Sequence, residues 1–267
     1  AEIRAMLDER GLAPRKKLGQ NFLTDHNLIG KLVAASGVGP GDTVLEIGPG
    51  TGTLTEALLE AGCRVVAGEL DAGLAGLLRE RHRGVDRFTL VEGDCLAGKR
   101  GLAPSLTAAV GPGPFRLVAN LPYGAATPVM LALLAEPDCE GQFVTIQKEV
   151  ADRLLAKPGT KAYGAISVAA QVLAGVERIA VLPPECFWPR PEVTSAMVSV
   201  VPRAGVGLDA AAFAGFCQRA FAGRRKQLGS VLGDGPWPEG VGRADRAEAL
   251  APDRFVGLFR LRGGGVG

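Results

Sequence analysis

From Thr43 onward, short apolar segments alternate with segments whose apolar residues recur at helical spacing, such as Leu54 and Leu58. The apolar segments predict buried strands at residues 44–47, 65–69, 88–91, 117–119 and 143–147. Successive parallel strands are joined by crossover helices, so this alternation predicts a mostly parallel sheet covered by helices on both faces. The expected fold class is therefore α/β.

Later segments complete the predicted sheet. Residues 166–173 and 193–201 are expected to be strands joined by a Pro-rich loop, which indicates an antiparallel hairpin at the sheet edge. The Gly- and Pro-rich stretch 97–114 is expected to be a surface loop. Thr53 and Glu56 fit a capping box, and Asp71 is expected to cap the next helix.

After Pro202 the pattern changes. Residues 209–222, 224–232, 243–250 and 253–261 are all expected to be helices, with no strand between them. We therefore predict two domains, a main domain at residues 1–204 that includes an N-terminal helical segment, and a small all-α domain at residues 205–267.

Composition removes several classes of protein. No apolar run approaches the roughly 20 residues of a membrane span, so no membrane association is expected. The five cysteines are scattered without a C-x-x-C pair, and only two histidines are present. No metal site is therefore expected, and reduced thiols in a cytoplasmic protein are the simplest account.

Four predicted strands end in polar or glycine-rich sequence. The first ends in a turn with Gly48, Gly50 and Gly52, and the others end at Glu69, at Gly93-Asp94 and at Asn120. In open α/β sheets, ligands bind beyond the carboxyl ends of the strands. These ends are expected to converge on one ligand site.

The glycine turn helps to select the ligand. A dinucleotide fingerprint needs a third glycine at position 53, which is Thr53, so the spacing favours a ligand without a pyrophosphate, such as S-adenosylmethionine. Glu69 can bind ribose hydroxyls, although NAD enzymes share this feature. Asp94 can accept a hydrogen bond from the cofactor adenine while Cys95 donates its backbone N–H. A helix or turn cap is the alternative for Asp94.

The segment Asn120-Leu121-Pro122-Tyr123 suits chemistry on the amino group of a nucleobase. The Asn120 side chain and the Leu121 carbonyl can accept hydrogen bonds from an exocyclic amine, Pro122 fixes the local backbone, and the Tyr123 ring can stack on a flat heterocycle. A strand-to-helix turn with ordinary Asn and Pro geometry is the alternative.

Three basic clusters are candidate phosphate contacts. They are Arg15-Lys16-Lys17, Lys99-Arg100 and Arg224-Arg225-Lys226. Short basic runs are also common on solvated surfaces.

Taken together, the chain resembles the small-subunit (16S) ribosomal RNA adenine N6-dimethyltransferases. The resemblance rests on an ordered set of motifs along nearly the whole chain. Besides the glycine turn and residues 120–123, these motifs are Leu18-Gly-Gln-Asn-Phe-Leu23, Gln147-Lys-Glu-Val-Ala151, Lys161-Ala-Tyr-Gly164, Phe187-x-Pro189-x-Pro191-x-Val193-x-Ser195 and Phe221-Ala-Gly-Arg-Arg-Lys226.

The resemblance implies a Rossmann-like class I methyltransferase sheet and a monomer that dimethylates two adjacent adenines near the 3′ end of 16S rRNA. It implies that Tyr123 and Phe187 hold the target adenine. It also implies an S-adenosylmethionine site lined by Asn21, Leu23, Gly48, Glu69, Asp94 and Asn120. Two positions depart from the family, namely Glu192, where Lys is frequent, and Gly229, where a polar residue is common.

Other functions stay open at this point. A large-subunit rRNA adenine methyltransferase of the macrolide-resistance type shares part of the motif set. A DNA adenine methyltransferase usually carries Asp at the position of Asn120. A non-catalytic ribosome-assembly factor would not need intact Asn120 and Glu69. A dehydrogenase is disfavoured by Thr53.

Overall fold

The computed structural model describes residues 2–98 and 101–262, and within them the chain forms nine strands and eleven α-helices. The strands are β1 (Phe22–Leu23), β2 (Thr43–Ile47), β3 (Arg64–Glu69), β4 (Phe88–Glu92), β5 (Phe115–Asn120), β6 (Cys139–Gln147), β7 (Ala174–Leu182), β8 (Phe187–Trp188) and β9 (Ser195–Pro202). The helices are α1 (Glu2–Asp8), α2 (His26–Ser36), α3 (Thr53–Glu60), α4 (Ala72–Arg81), α5 (Pro104–Val110), α6 (Ala126–Leu133), α7 (Lys148–Leu154), α8 (Ala165–Leu173), α9 (Ala210–Ala220), α10 (Leu228–Leu232) and α11 (Pro252–Arg262).

Seven strands form one sheet in the order β4-β3-β2-β5-β6-β9-β7. The first five are parallel, while β9 runs antiparallel to both β6 and β7. The predicted parallel sheet with an antiparallel hairpin at its edge is therefore confirmed. The carboxyl ends of β2, β3, β4 and β5 lie at one edge, which places the predicted ligand groups together.

Two segments differ from the sequence prediction. Residues 166–173 belong to helix α8 and not to a strand, and the hairpin strand β7 follows directly from Ala174. A short apolar run fits either period, and here alanines favour the helix while Ser167 accepts from the Gly164 N–H at its first turn. The predicted loop 97–114 contains helix α5, which Pro104 starts and which buries Leu106 and Val110.

Two predictions at helix ends were also tested. Asp71 caps α4 as predicted, since its Oδ1 accepts from the backbone N–H groups of Gly73 and Leu74. The capping box at Thr53 is wrong, because the N-cap is Gly52 in a left-handed conformation and α3 begins at Thr53.

The C-terminal region is less helical than predicted. Helices α9 and α11 lie where they were expected. Only residues 228–232 of the predicted helix 224–232 are α-helical, and the predicted helix 243–250 is reduced to a short 3-10 turn at Ala247–Ala249. Gly229 lies inside the first of these segments, and a glycine within a helix weakens it.

The core continues from the sheet region into the C-terminal helices. Tyr163 and Leu173 share one buried cluster with Phe213 and Phe255, and the Tyr163 hydroxyl donates to the Leu250 carbonyl at 2.7 Å. The boundary at residue 204 stays a prediction, and side chains from both sides of it pack together.

Candidate active site

A cavity of about 250 Å³ opens at the carboxyl edge of the sheet. This volume is close to the lower end of the roughly 300–1,000 Å³ of small-molecule pockets. All but two of the predicted site residues line it. Those that do are Asn21, Gly48, Gly50, Glu69, Asp94, Cys95, Asn120, Leu121, Pro122 and Tyr123.

The glycine turn after β2 lets the backbone pass close to its neighbours. Gly48 and Gly50 have φ angles of 68° and 62°, a region that residues with a side chain rarely adopt. A Cβ on Gly50 would lie 2.8 Å from the Phe22 ring, and one on Gly48 would lie 3.0 Å from Pro122 Cγ. A side chain at either glycine would displace Phe22 or Pro122, which line the cavity. The turn thus forms a glycine cradle, in which the backbone itself borders the cavity.

The Glu69 carboxylate forms the wall beside this turn. It is 5% exposed, and its two oxygens accept from the Gly50 N–H at 3.2 Å and the Asp71 N–H at 2.8 Å. Burial raises the pKa of Glu69, and these backbone hydrogen bonds oppose the rise. Each oxygen keeps a further lone pair, so the group is able to accept hydrogen bonds from ligand hydroxyls.

Next to Glu69 is a cavity residue that sequence reasoning missed. The Leu70 side chain is 54% exposed although it is large and apolar. An exposed leucine at a strand end offers a flat apolar surface to a ligand ring. The signal was its position immediately after the acidic strand end, where a polar residue would be expected.

The amide of Asn120 is held in one orientation. Its Nδ2 donates to the Asn21 carbonyl at 2.8 Å, an oxygen that can only accept. No group in the described residues donates to Asn120 Oδ1, which therefore stays available as an acceptor. The Leu121 N–H donates to the Thr145 carbonyl at 3.0 Å, and this bond fixes the backbone after β5.

The Tyr123 ring stands beside this amide. Its hydroxyl pairs with Ser195 Oγ at 3.0 Å, at the start of β9. Burial raises the pKa of Tyr123, and the hydrogen bond to Ser195 partly offsets that rise. The residue is thus a neutral phenol that lines the cavity, not a base.

Asp94 and Cys95 line the far side. Asp94 Oδ1 accepts from the Leu96 N–H at 3.0 Å, so the turn-cap role is present alongside the cavity position. Burial, with a smaller contribution from Asp94, raises the pKa of the Cys95 thiol to about 11. The thiol is therefore protonated at neutral pH and is not a nucleophile.

The structure does not bring Leu23 and Phe187 into this cavity. They face each other across the β1–β8 pairing and are 6% and 4% exposed. Leu23 borders a small adjoining space of about 30 Å³ that also touches Asn120. Their predicted contacts with cofactor and adenine stay predictions.

The basic clusters separate into engaged and exposed groups. Arg224 is tied down, with Nε 2.9 Å from Glu248 and its terminal nitrogens donating to the carbonyls of Thr160 and Lys161. Arg225 and Lys226 are exposed, and no carboxylate of the described residues pairs with them. Lys99-Arg100 lies outside the described residues.

The N-terminal cluster is likewise mixed. Arg15 Nε lies 3.2 Å from Asp71 Oδ2, and Lys17 lines the cavity mouth. Within the described residues, no helix is long and apolar enough to cross a membrane.

Solved structures confirm the predicted fold class. The chain superposes on a dimethyladenosine transferase from Plasmodium falciparum with a TM-score of 0.72 at 21% identity, covering 92% of this chain and 100% of that one. It also matches the 23S rRNA methyltransferase ErmE with a TM-score of 0.66 at 26% identity, covering 91% and 99%. The sheet is thus the Rossmann-like α/β sheet of class I methyltransferases.

Sequence relatives are closer. A ribosomal RNA small subunit methyltransferase A from Streptomyces griseus is 42% identical over 97% of this chain and 92% of its own. The protein of that name from Magnetococcus marinus is also 42% identical, over 96% and 94%. The sequence profile of the ribosomal RNA adenine dimethylases matches residues 11–249. The chain therefore belongs to the ribosomal RNA adenine dimethylase family.

Proposed function

We propose that this protein transfers methyl groups from S-adenosylmethionine to N6 of two adjacent adenines near the 3′ end of 16S rRNA, dimethylating each. The observation that carries the proposal is the Asn120 amide, whose Nδ2 is held by the Asn21 carbonyl so that Oδ1 is left to accept from an amine. Membership of the family and the small-subunit relatives at 42% identity support the choice of RNA.

The cavity fits S-adenosylmethionine through its glycine cradle and its acidic wall. The turn at Gly48 and Gly50 would hold the amino-acid portion, Glu69 the ribose hydroxyls and Asp94 the adenine amine. Leu70 would cover the adenine ring. When bound, the cofactor supplies a methyl group on a positively charged sulfur, which is an activated donor.

The residues after β5 would prepare the acceptor. The adenine amine is a poor nucleophile, because its lone pair is delocalised into the ring. Hydrogen bonds from its two N–H groups to Asn120 Oδ1 and the Leu121 carbonyl would favour a pyramidal nitrogen whose lone pair faces the methyl group. The methylated nitrogen would then release one proton to solvent. Positioning and electrostatic support are then the main contributions, and no strong base is required.

An adenine must leave its stack to reach Asn120. Stacking on an aromatic face offsets that cost by about 1–3 kcal/mol per base. Phe22 and Tyr123 are the aromatic residues that line the cavity in the described structure, and Tyr123 belongs to the segment that begins at Asn120. Phe187 would contribute only after leaving its buried place against Leu23.

The rest of the proposal concerns the partner. Exposed Arg225 and Lys226, with Lys16 and Lys17 near the cavity mouth, are the proposed phosphate contacts. The enzyme would act as a monomer on the small subunit or its precursor, and such a substrate implies a cytoplasmic location.

The test is incubation of the protein and labelled S-adenosylmethionine with undermethylated small or large ribosomal subunits, followed by mass mapping of the modified nucleotides. Two neighbouring dimethyladenosines in small-subunit RNA are expected. Dimethyladenosine found only in large-subunit RNA would replace this proposal with the activity that the similarity to ErmE suggests.

A further inference from the structure

The segment 15–22, called the strap below, crosses the carboxyl edge of the sheet and contacts the segment 120–123 at two places. The Asn21 carbonyl accepts from Asn120 Nδ2 at 2.8 Å. A Cβ on Gly19 would lie only 3.3 Å from the Tyr123 backbone nitrogen. The orientation of the Asn120 amide therefore depends on where the strap lies.

Two polar side chains hold the strap at this place. Gln20 Nε2 donates to Asp71 Oδ2 at 3.1 Å, while Gln20 Oε1 accepts from the Arg15 N–H at 2.7 Å. Arg15 Nε also reaches Asp71 Oδ2 at 3.2 Å. Gln20 thus links the start of the strap to Asp71. It directly precedes Asn21, whose carbonyl binds Asn120.

Asp71 is a fixed point to which the strap is tied. It is 3% exposed, and its Oδ1 caps α4 through the N–H groups of Gly73 and Leu74. Its own N–H donates to Glu69 Oε1 at 2.8 Å. A chain of hydrogen bonds therefore runs from the cofactor wall at Glu69 through Asp71 and Gln20 to the strap.

The far end of the strap is anchored separately. Beyond Asn21, the chain pairs with β8 through the two residues of β1, and the Thr24 N–H donates to the Cys186 carbonyl at 2.9 Å. This pairing sets the path of the strap after Asn21, and the Gln20–Asp71 contact fixes the part before Asn21.

Resting on the proposed function, we propose that Gln20 is a positioning residue for Asn120. Its hydrogen bond to Asp71 holds the Asn21 carbonyl against Asn120 Nδ2, and this fixes Oδ1 toward the adenine amine. If the strap moves away, the amide rotates and presents its NH2 group to the amine, where two donors face each other. The methyl acceptor is then no longer held.

The test exchanges donor and acceptor. Gln20→Glu keeps an acceptor for the Arg15 N–H but sets a carboxylate oxygen against Asp71, so the strap is released. We expect kcat to fall tenfold or more with the KM for ribosomal subunits nearly unchanged. Hydrogen–deuterium exchange of residues 15–22 should become faster. Gln218→Glu, which makes the same charge change at an exposed position of α9, serves as the control.

Adding Asp71→Asn to Gln20→Glu restores the pair in reverse, since the new amide donates to the new carboxylate, and asparagine still caps α4. We expect the double variant to regain slow exchange and at least half of the lost activity on a logarithmic scale. If Gln20 acted on the stability of the strap alone, the double variant would regain slow exchange without regaining kcat.

The outcomes distinguish this proposal from the proposed function. Exchange of the strap in Gln20→Glu equal to that in the wild type would show that the Gln20–Asp71 contact does not hold the strap. Faster exchange with unchanged kcat, or a double variant that regains slow exchange but not turnover, overturns the link to Asn120. Failure of the wild-type protein to methylate either subunit counts against the proposed function, and the exchange experiment still decides whether Gln20 holds the strap.

Discussion

The cavity edge and the C-terminal helical core are held together by different forces. At the edge, Glu69, Asp71 and Asn120 are fixed by hydrogen bonds of defined direction. In the helical core, aromatic rings stack or pack edge to face. Phe213 packs edge to face against Phe259 at a centroid distance of 5.3 Å. Directional bonds set geometry at little gain in stability, whereas packed rings contribute stability with less demand on angle.

The difference predicts that substitutions at the edge alter turnover and substitutions in the helical core alter folding. The largest effect is expected at the edge. Asn120→Ala should lower methyl transfer about 10²–10³-fold, because it removes an acceptor aimed at the reacting amine. Cofactor binding, measured by calorimetry, should weaken severalfold at most.

The control for this change is Asn27→Ala at an exposed position of α2. It should leave turnover unchanged. Near-normal methylation by Asn120→Ala would remove the amide from the mechanism, and a comparable loss of stability in the two regions would break the comparison.

The converse substitution lies in α11. Phe255 is fully buried and stacks on Phe221 at 5.6 Å. Phe255→Ala should lower the free energy of unfolding by about 3–5 kcal/mol, because it leaves a cavity among rigid neighbours. Urea titration measures the loss. Leu261→Ala, in the same helix but 48% exposed, should lose far less, and an equal loss would show that this core is not tightly packed.

What the sequence revealed follows the same division. The strand ends at Gly48, Glu69 and Asn120 could be placed from local patterns, since strand period and chain order bring them to one edge. Residues 166–173 could not, because a short, mostly apolar run fits both periods, and packing against α9 adds to the local preference for a helix.

Long-range pairings were also beyond the sequence. Phe187 and Leu23 are buried because two-residue strands from distant parts of the chain meet, and no local pattern records that pairing. The contact from Gln20 to Asp71 is of the same kind. The motif around Gln20 was recognised, while its partner could only be seen in three dimensions.

Glu46, a buried acid behind the glycine turn, links the candidate site to the stability of the fold. Burial raises the pKa of Glu46 to about 8, with the Thr55 hydroxyl donating to it at 2.6 Å and nearby Glu69 adding to the rise. The folded protein keeps this proton up to about pH 8, while the unfolded chain loses it near pH 4.5. The stability from Glu46 is therefore complete below about pH 4.5 and is lost as the pH rises toward 8.

Glu46→Gln removes this titration and keeps an acceptor for Thr55. Its advantage in free energy of unfolding over the wild type should grow from pH 5 to pH 8, by at most about 1.4 kcal/mol per pH unit. Urea titrations across that range measure it. The exposed Glu60→Gln is the control for the charge change, and a Glu46→Gln advantage that does not vary with pH would contradict the assignment.

The smallest effects are expected in the basic cluster 224–226, where the hydrogen-bonded residue and the exposed residues should differ in role. Arg224→Ala should cost about 1–3 kcal/mol of folding free energy, because it breaks bonds to Glu248 and to the carbonyls of Thr160 and Lys161. Replacing exposed Arg225 and Lys226 by Ala should barely change stability. It should instead weaken RNA binding and lower the slope of log K against log salt by about two.

Binding of small-subunit RNA at several salt concentrations, with urea titration of each variant, separates the two roles. An unchanged salt slope in the Arg225 and Lys226 variant would remove this surface from the RNA contact. A stable Arg224→Ala variant would show that its bonds form without holding the fold. Adjacent residues of like charge then differ in role because, among the described residues, only the Arg224 side chain has protein acceptors within reach. The charges of Arg225 and Lys226 are left to act on phosphates.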